Sequence, residues 1–188
     1  MAGYTQSLSA STQFKTFQQA LAETNLQFVI PKNFKEIEPI QTATADVNVD
    51  YAVMLPQSNF QVWFKVKNIA QEEARFKASD GDAKLSLANP DSLYSFKSLS
   101  TAIKLAGKGN FTYKSLPQNV LDSFHADAGC SYQLNLRDMP ETNHYKYGLL
   151  ISLQKNTSGY ILMLFLGNEN GPAFYKKVNM AYYSVRFN

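Results

Sequence analysis

Cys130 is the sole cysteine in the chain, and the two histidines, His125 and His144, stand on either side of it in sequence. A thiol nucleophile needs a base within hydrogen-bond reach and a third group to orient that base. Spacing along the chain does not show that either histidine reaches the thiol, and no catalytic signature surrounds it. Cys130 follows Gly129 where a helix is expected to give way to a strand, a place where a lone cysteine serves as a small buried side chain. A thiol-dependent enzyme stays open as an alternative. A metal site would draw on His125, Asp127 and His144, with Asp122 as a fourth donor. His125 and Asp127 are two apart, which suits neither one helical face nor the usual zinc spacings. No metal and no cofactor is implied.

The other chemical patterns fall short in definable ways. Asp80-Gly81-Asp82 lacks the further acidic and glycine positions of a calcium loop and reads as a turn. Gly107-Lys108-Gly109-Asn110 is rich in glycine but follows a helix, whereas a phosphate-cradling loop follows a strand and opens one. The Gly-x-Ser-x-Gly elbow of serine hydrolases is absent from the sequence. Trp63 is more informative. It alternates with Gln61, Lys65 and Lys67 on the polar face of an expected strand. Beneath an outer helix it would be core. Exposed, Trp63 beside Lys65 would anchor a partner, and these two are the candidate binding residues.

The elements that would position these residues follow from periodicity. Phe14, Phe17 and Leu21 recur at helical spacing after Ser11. Leu26 to Ile30 reads as a short strand stopped by Pro31, and Lys32 to Asn48 as loop. Tyr51 to Leu55 and Phe60 to Lys67 form a hairpin, with Phe60, Val62, Phe64 and Val66 on the core face. Asn68 to Leu87 is charged and ambiguous. Asn89-Pro90 opens a helix on which Leu93, Phe96, Leu99, Ile103 and Ala106 line one face, and Gly107 stops it. Phe111 to Lys114 is a further short strand. Pro117 opens another helix, with Val120, Leu121 and Phe124 inward and Gly129 closing it. Tyr132, Leu134 and Leu136 alternate in a strand.

Tyr147 to Leu153 alternates as well, and Asn156-Thr157-Ser158-Gly159 turns the chain into Tyr160 to Leu166. That last arm is apolar at every position, which requires cover on both faces and so a central place in the sheet. Helices near 12–24, 91–106, 117–128 and 172–182 supply the cover. Phe174, Val178 and Tyr182 form the inward stripe of the last, and Val185 to Phe187 adds a final extended piece. The expected fold is a three-layer α/β/α sandwich (α+β) with a mostly antiparallel sheet, a single domain over 1–188 whose first ten residues fray.

Composition narrows the function classes. The formal charge is +3, with the basic residues scattered, which gives no nucleic-acid footprint. No run approaches the ~18 apolar residues of a membrane span. The start, Met1 to Ser7, has neither a basic region nor an apolar stretch and carries no signal peptide as written. The 13 Phe and 11 Tyr suit strands and core packing and are also common on binding surfaces.

Phe28-Val29-Ile30-Pro31 with Phe34, and the stretch from Tyr147 to Ser184-Val185-Arg186-Phe187, resemble the PsbP-like family. In that family an apolar strand leads into a proline and a bulky residue, and a late hairpin precedes a C-terminal helix. The resemblance implies an α/β/α sandwich, usually without catalysis, that acts by docking to other proteins. It favours a periplasmic or secreted bacterial protein, and it carries no functional residue over to a numbered position. The leading expectation is therefore a non-enzymatic interaction or accessory domain of an exported bacterial protein, with another protein as partner. A carrier of a small apolar ligand is the second, and it requires an apolar cavity between sheet and helices.

Overall fold

The computed structural model describes residues 11–38, 49–78 and 89–188. Helix α1 (Thr12–Glu23) starts where the Ser11 Oγ accepts the Phe14 N–H at 3.0 Å, which satisfies one of the otherwise orphan donors of the first turn. It leads through Asn25, whose positive φ of 56° turns the chain sharply, into β1 (Leu26–Phe28). The next strands are β2 (Lys35–Ile37), β3 (Tyr51–Leu55) and β4 (Phe60–Asn68), followed by α2 (Ala70–Ala78). A short 3-10 turn (Pro90–Ser92) then opens α3 (Leu93–Ala106), which precedes β5 (Phe111–Ser115) and α4 (Gln118–Phe124). The chain closes with β6 (Ala128–Asn135), β7 (Tyr147–Lys155), β8 (Gly159–Gly167), α5 (Gly171–Ala181) and β9 (Val185–Phe187).

Seven strands form one antiparallel sheet in the order β2-β3-β4-β8-β7-β6-β5, and β1 pairs with β9 in a separate two-stranded ribbon. The apolar strand β8 is the central one of the seven, as its lack of alternation requires. One side of the sheet carries Val62, Phe64, Ile151, Met163 and Phe165 and packs against Phe17 of α1, Phe124 of α4 and Val178 of α5. The opposite side carries Ala52, Trp63, Leu150 and Leu164 and packs against Ala102, Leu105 and Ala106 of α3. The result is an α/β sandwich with a helical layer on each face.

Several expectations are corrected. The stretch 32–48 holds a strand, β2, which pairs with β3 as Lys35↔Met54 and Ile37↔Ala52. An edge strand with a single apolar residue shows no alternation, so periodicity does not reveal it. The ambiguous segment after Asn68 contains helix α2, while Asp80-Gly81-Asp82 lies outside the described residues. Helix α4 ends at His125, itself in the left-handed conformation at φ 53°, rather than at Gly129. Gly129 is inside β6, and a Cβ there would come within 2.9 Å of the Ser152 carbonyl oxygen. Close strand approach, not helix termination, is what this glycine permits. Strand β7 alternates in sequence, yet Ser152 and Gln154 on its second face are as buried as Ile151 and Leu153 on its first.

The largest correction concerns α3. Its buried residues are Ser98, Ala102, Leu105 and Ala106, whereas Phe96 and Leu99 are 65 % and 41 % exposed. The helix is rotated away from the stripe that its large apolar residues suggest. Small side chains face the sheet, so the helix axis can approach the strands closely.

Candidate functional site

An α-helix with its side chains is ~10–12 Å across, whereas strands repeat every ~4.8 Å, so one helix roofs about two strands. Helix α3 packs chiefly on β6 and β7. A cleft of about 270 Å³ lies beside it, over β8 and β4 on the same sheet face. Its floor follows from the pairing register. Trp63 of β4 lies opposite Leu164 of β8, which lies opposite Leu150 of β7. The next row pairs Lys65 with Leu162, and the one after pairs Lys67 with Tyr160. Lys97 and Thr101, one helical turn apart on α3, form the roof edge, and Val49 closes one side.

Trp63 is 3 % exposed, so it belongs to the cleft floor and the buried cluster rather than standing out as a surface anchor. Its indole N–H donates to the Gln61 Oε1 at 2.9 Å. Gln61 also hydrogen-bonds the buried Tyr145 hydroxyl, whose pKa burial raises and this bond partly offsets. The polar amide of β4 thus fixes the ring, since a buried indole N–H without an acceptor is costly. Lys65 reaches the Asp50 Oδ1 at 2.6 Å, and the other carboxylate oxygen accepts the Val66 N–H at 2.8 Å. The two candidate binding residues therefore share one cleft, Trp63 at its floor and Lys65 along its wall. Both lie on the polar face of β4 by alternation; the roof edge at Lys97 and Thr101 has no such signal, because Phe96 and Leu99, expected inward on α3, face out.

Deeper under α3 the same sheet face holds polar groups. Ser152, opposite Leu162 and Cys130 in the ladder, is fully buried, and its hydroxyl finds no hydrogen-bond partner among the described residues. Cys130 is 1 % exposed, with its Sγ 3.5 Å from the Ser98 Oγ. Burial pushes its thiol pKa up, against hydrogen bonds from Ser98 and Tyr132 that pull the other way. A thiol held neutral and out of solvent is a poor nucleophile.

The histidines do not join it. His125 Nδ1 lies 2.9 Å from the Phe187 carbonyl oxygen, on the opposite side of the sheet from Cys130. His144 pairs with Asp138 in an exposed loop. Asp122 accepts from Gln118 and Asp127 from Lys155, so the four candidate metal donors each engage a different partner. Among the described residues no three His, Cys, Asp or Glu side chains gather as a metal would need. Gly107 terminates α3, its N–H bonded to the Ile103 carbonyl at 2.8 Å. No helix of the described residues is long and apolar enough to cross a membrane.

No protein-family model matches the chain, and no curated protein matches it. Among solved structures it is similar to the solution structure of the cyanobacterial PsbP protein from Synechocystis. The two share 11 % identity over 88 % of each chain, at a TM-score of 0.42. A score that low establishes neither family membership nor function, which must rest on the cleft.

Proposed function

We propose that this chain is a non-enzymatic binding domain, accessory to other components, and that the cleft over Trp63 is where its ligand sits. One observation carries the reading: an apolar cavity between helix and sheet, which a carrier of a small apolar ligand requires. At about 270 Å³ it falls just short of the ~300–1,000 Å³ of ordinary small-molecule sites, so the occupant is small. Trp63 is the only tryptophan and lines the cleft, so its fluorescence reports occupancy without a label. Titration with a neutral solvatochromic dye should give saturable binding at one site per chain, with a change in Trp63 emission. Thr101→Phe, which fills the cleft from the helix side, should abolish it. Dye binding that is absent, or indifferent to Thr101→Phe, removes the reading.

A protein-interaction role is favoured by a second observation, the outward Phe96 and Leu99 of α3. In cells making the full gene product, photo-crosslinking from position 99 should trap a discrete partner, and Phe96→Glu should abolish that adduct. An adduct pattern indifferent to Phe96→Glu disposes of this role. The sequence resemblance would set either function outside the cytoplasm of a bacterium, and cell fractionation tests that separately.

A further inference from the structure

Resting on the cleft reading above, we propose that the occupant is a small amphipathic carboxylate, its apolar body on Trp63, Leu150 and Leu164 and its acid group at Lys97.

The cleft has two chemically different ends, and the topology fixes which is which. The 3-10 turn that opens α3 packs against α2, and α2 follows directly from the end of β4 beyond Lys67. At its other end, α3 offers the Leu105 carbonyl to the Arg137 N–H, just past β6. Asn135 at the end of β6 pairs with Tyr147, which pairs with Gly167, and Leu166 pairs with Gln61. Helix α3 therefore runs from the Lys67 end of the floor toward the Gln61 end. Thr101 stands toward Trp63, and Lys97, one turn earlier, stands toward Lys67 and Tyr160.

The floor changes in the same direction. At the Trp63 row it is wholly apolar across three strands. One row on, Lys65 appears, already neutralised by Asp50 at 2.6 Å. At the last row stand Lys67 and the Tyr160 phenol, with Lys97 above. Lys97 is exposed, with its ammonium 6.0 Å from the centre of the Phe96 ring. No carboxylate lines the cleft among the described residues. A cationic mouth over an apolar floor complements a molecule with one anionic end. A cation would be repelled by the Lys97 ammonium, and a wholly apolar molecule would leave that charge unused.

Size narrows the class. At ~30 Å³ for each water-sized group, the cleft of about 270 Å³ holds on the order of ten non-hydrogen atoms. Octanoate has that size, and octanol matches its apolar body without the charge.

The test compares these two probes by Trp63 emission and calorimetry on the whole chain. Octanoate should bind several-fold more tightly than octanol, and the advantage should shrink as salt is raised. Lys97→Gln, at an exposed position where folding is not at stake, should bring octanoate down to the octanol level and leave octanol unchanged. Thr101→Phe should abolish both. Equal affinity for the two probes, or an octanoate advantage that survives Lys97→Gln, overturns the carboxylate proposal while leaving the cleft as a binding site. Failure of both probes and of the neutral dye removes the cleft reading itself.

Discussion

The two faces of the central sheet are built from alternate residues of the same strands, yet they are packed in opposite ways. On the α1 side Phe17 stacks on Tyr51 with ring centres 4.8 Å apart and planes 9° from parallel. Phe28 meets Phe64 edge-on at 5.1 Å, and Phe60 meets Phe174 at 5.7 Å. The cover there comes from α1, α4 and α5 together, with large rings on both sides of the contact. On the α3 side one helix presents Ser98 and Ala102, and the strands beneath contribute buried Ser152, Gln154 and Cys130. One face is filled by aromatic interlock over β3 and β4, and a cleft of about 320 Å³ lies on it farther along, between Tyr175 of α5 and Ser131 and Gln133 of β6. On the other, α3 packs chiefly over β6 and β7, and a cleft floored by the buried Trp63, Leu162 and Leu164 lies over β8 and β4. The cleft over Trp63 lies where α3, packed chiefly on β6 and β7, gives way to β8 and β4.

The largest expected effect lies on the aromatic face. Phe17 is fully buried, and its ring touches those of Tyr51, Phe28 and Phe64. Phe17→Ala should cost about 3–5 kcal/mol, since the surrounding rings cannot collapse into the void. For a chain of this length each kcal/mol moves Tm by ~2–4 °C, so melting should fall by roughly 10 °C. The dye affinity of the folded fraction should stay the same. A loss of affinity in step with stability would show that the two faces are not independent and would break the comparison.

A smaller effect is expected where the cleft floor is fixed. Gln61→Leu removes the acceptor of the Trp63 indole N–H and the partner of the Tyr145 hydroxyl. Each buried polar group left unpaired costs ~1–3 kcal/mol and two are affected, so urea denaturation should show a loss of roughly 2 kcal/mol or more. Here, unlike Phe17→Ala, binding should weaken too, because the ring that forms the floor is no longer held. If stability falls and the Trp63 emission and dye affinity are both unchanged, the Gln61 bond does not position the floor.

The contrast between the faces also explains how far the sequence could be read. The aromatic face was legible because its residues are large and regularly spaced: Phe17 and Leu21 on α1, Phe174 and Val178 on α5, and the unbroken apolar run of β8. Periodicity reports the burial of big side chains. It fails on α3, where the buried positions are Ser98, Ala102, Leu105 and Ala106 and two large residues, Phe96 and Leu99, point outward. The roof of the cleft is made by that helix, so the site inherited the error. Trp63 and Lys65 were singled out from alternation along β4, but whether the ring was covered depended on elements distant in sequence. Lys97 carries no local signal at all. It matters only because the register of three strands and the direction of one helix set it above the charged end of the floor.

The smallest effect is expected at the end of the sheet, where neither face is involved. Asp127 accepts from the Lys155 Nζ at 2.9 Å and from the Asn156 N–H at 2.9 Å, which ties the start of β6 to the turn between β7 and β8. Partial burial acts to raise its carboxyl pKa, but the bonds from Lys155 and Asn156 outweigh it and hold the group below the ordinary carboxylate value. The unfolded chain should titrate this group at ~3.9, so the native state gains stability from it above that pH. The gain disappears as pH falls through the lower folded value. With 34 % of each side chain exposed, solvent screening limits the contribution to less than about 1 kcal/mol. Asp127→Asn should therefore lower stability slightly at pH 7 and match the parent chain once the carboxylate of the latter is protonated. Octanoate affinity should be the same in both proteins throughout, because Asp127 takes no part in lining the cleft. A stability difference that persists undiminished in acid would mean that the side chain acts by shape and not by charge. A change in octanoate affinity would mean that the hairpin end and the cleft are coupled through β8, and the separation of rim from face would then have to be redrawn.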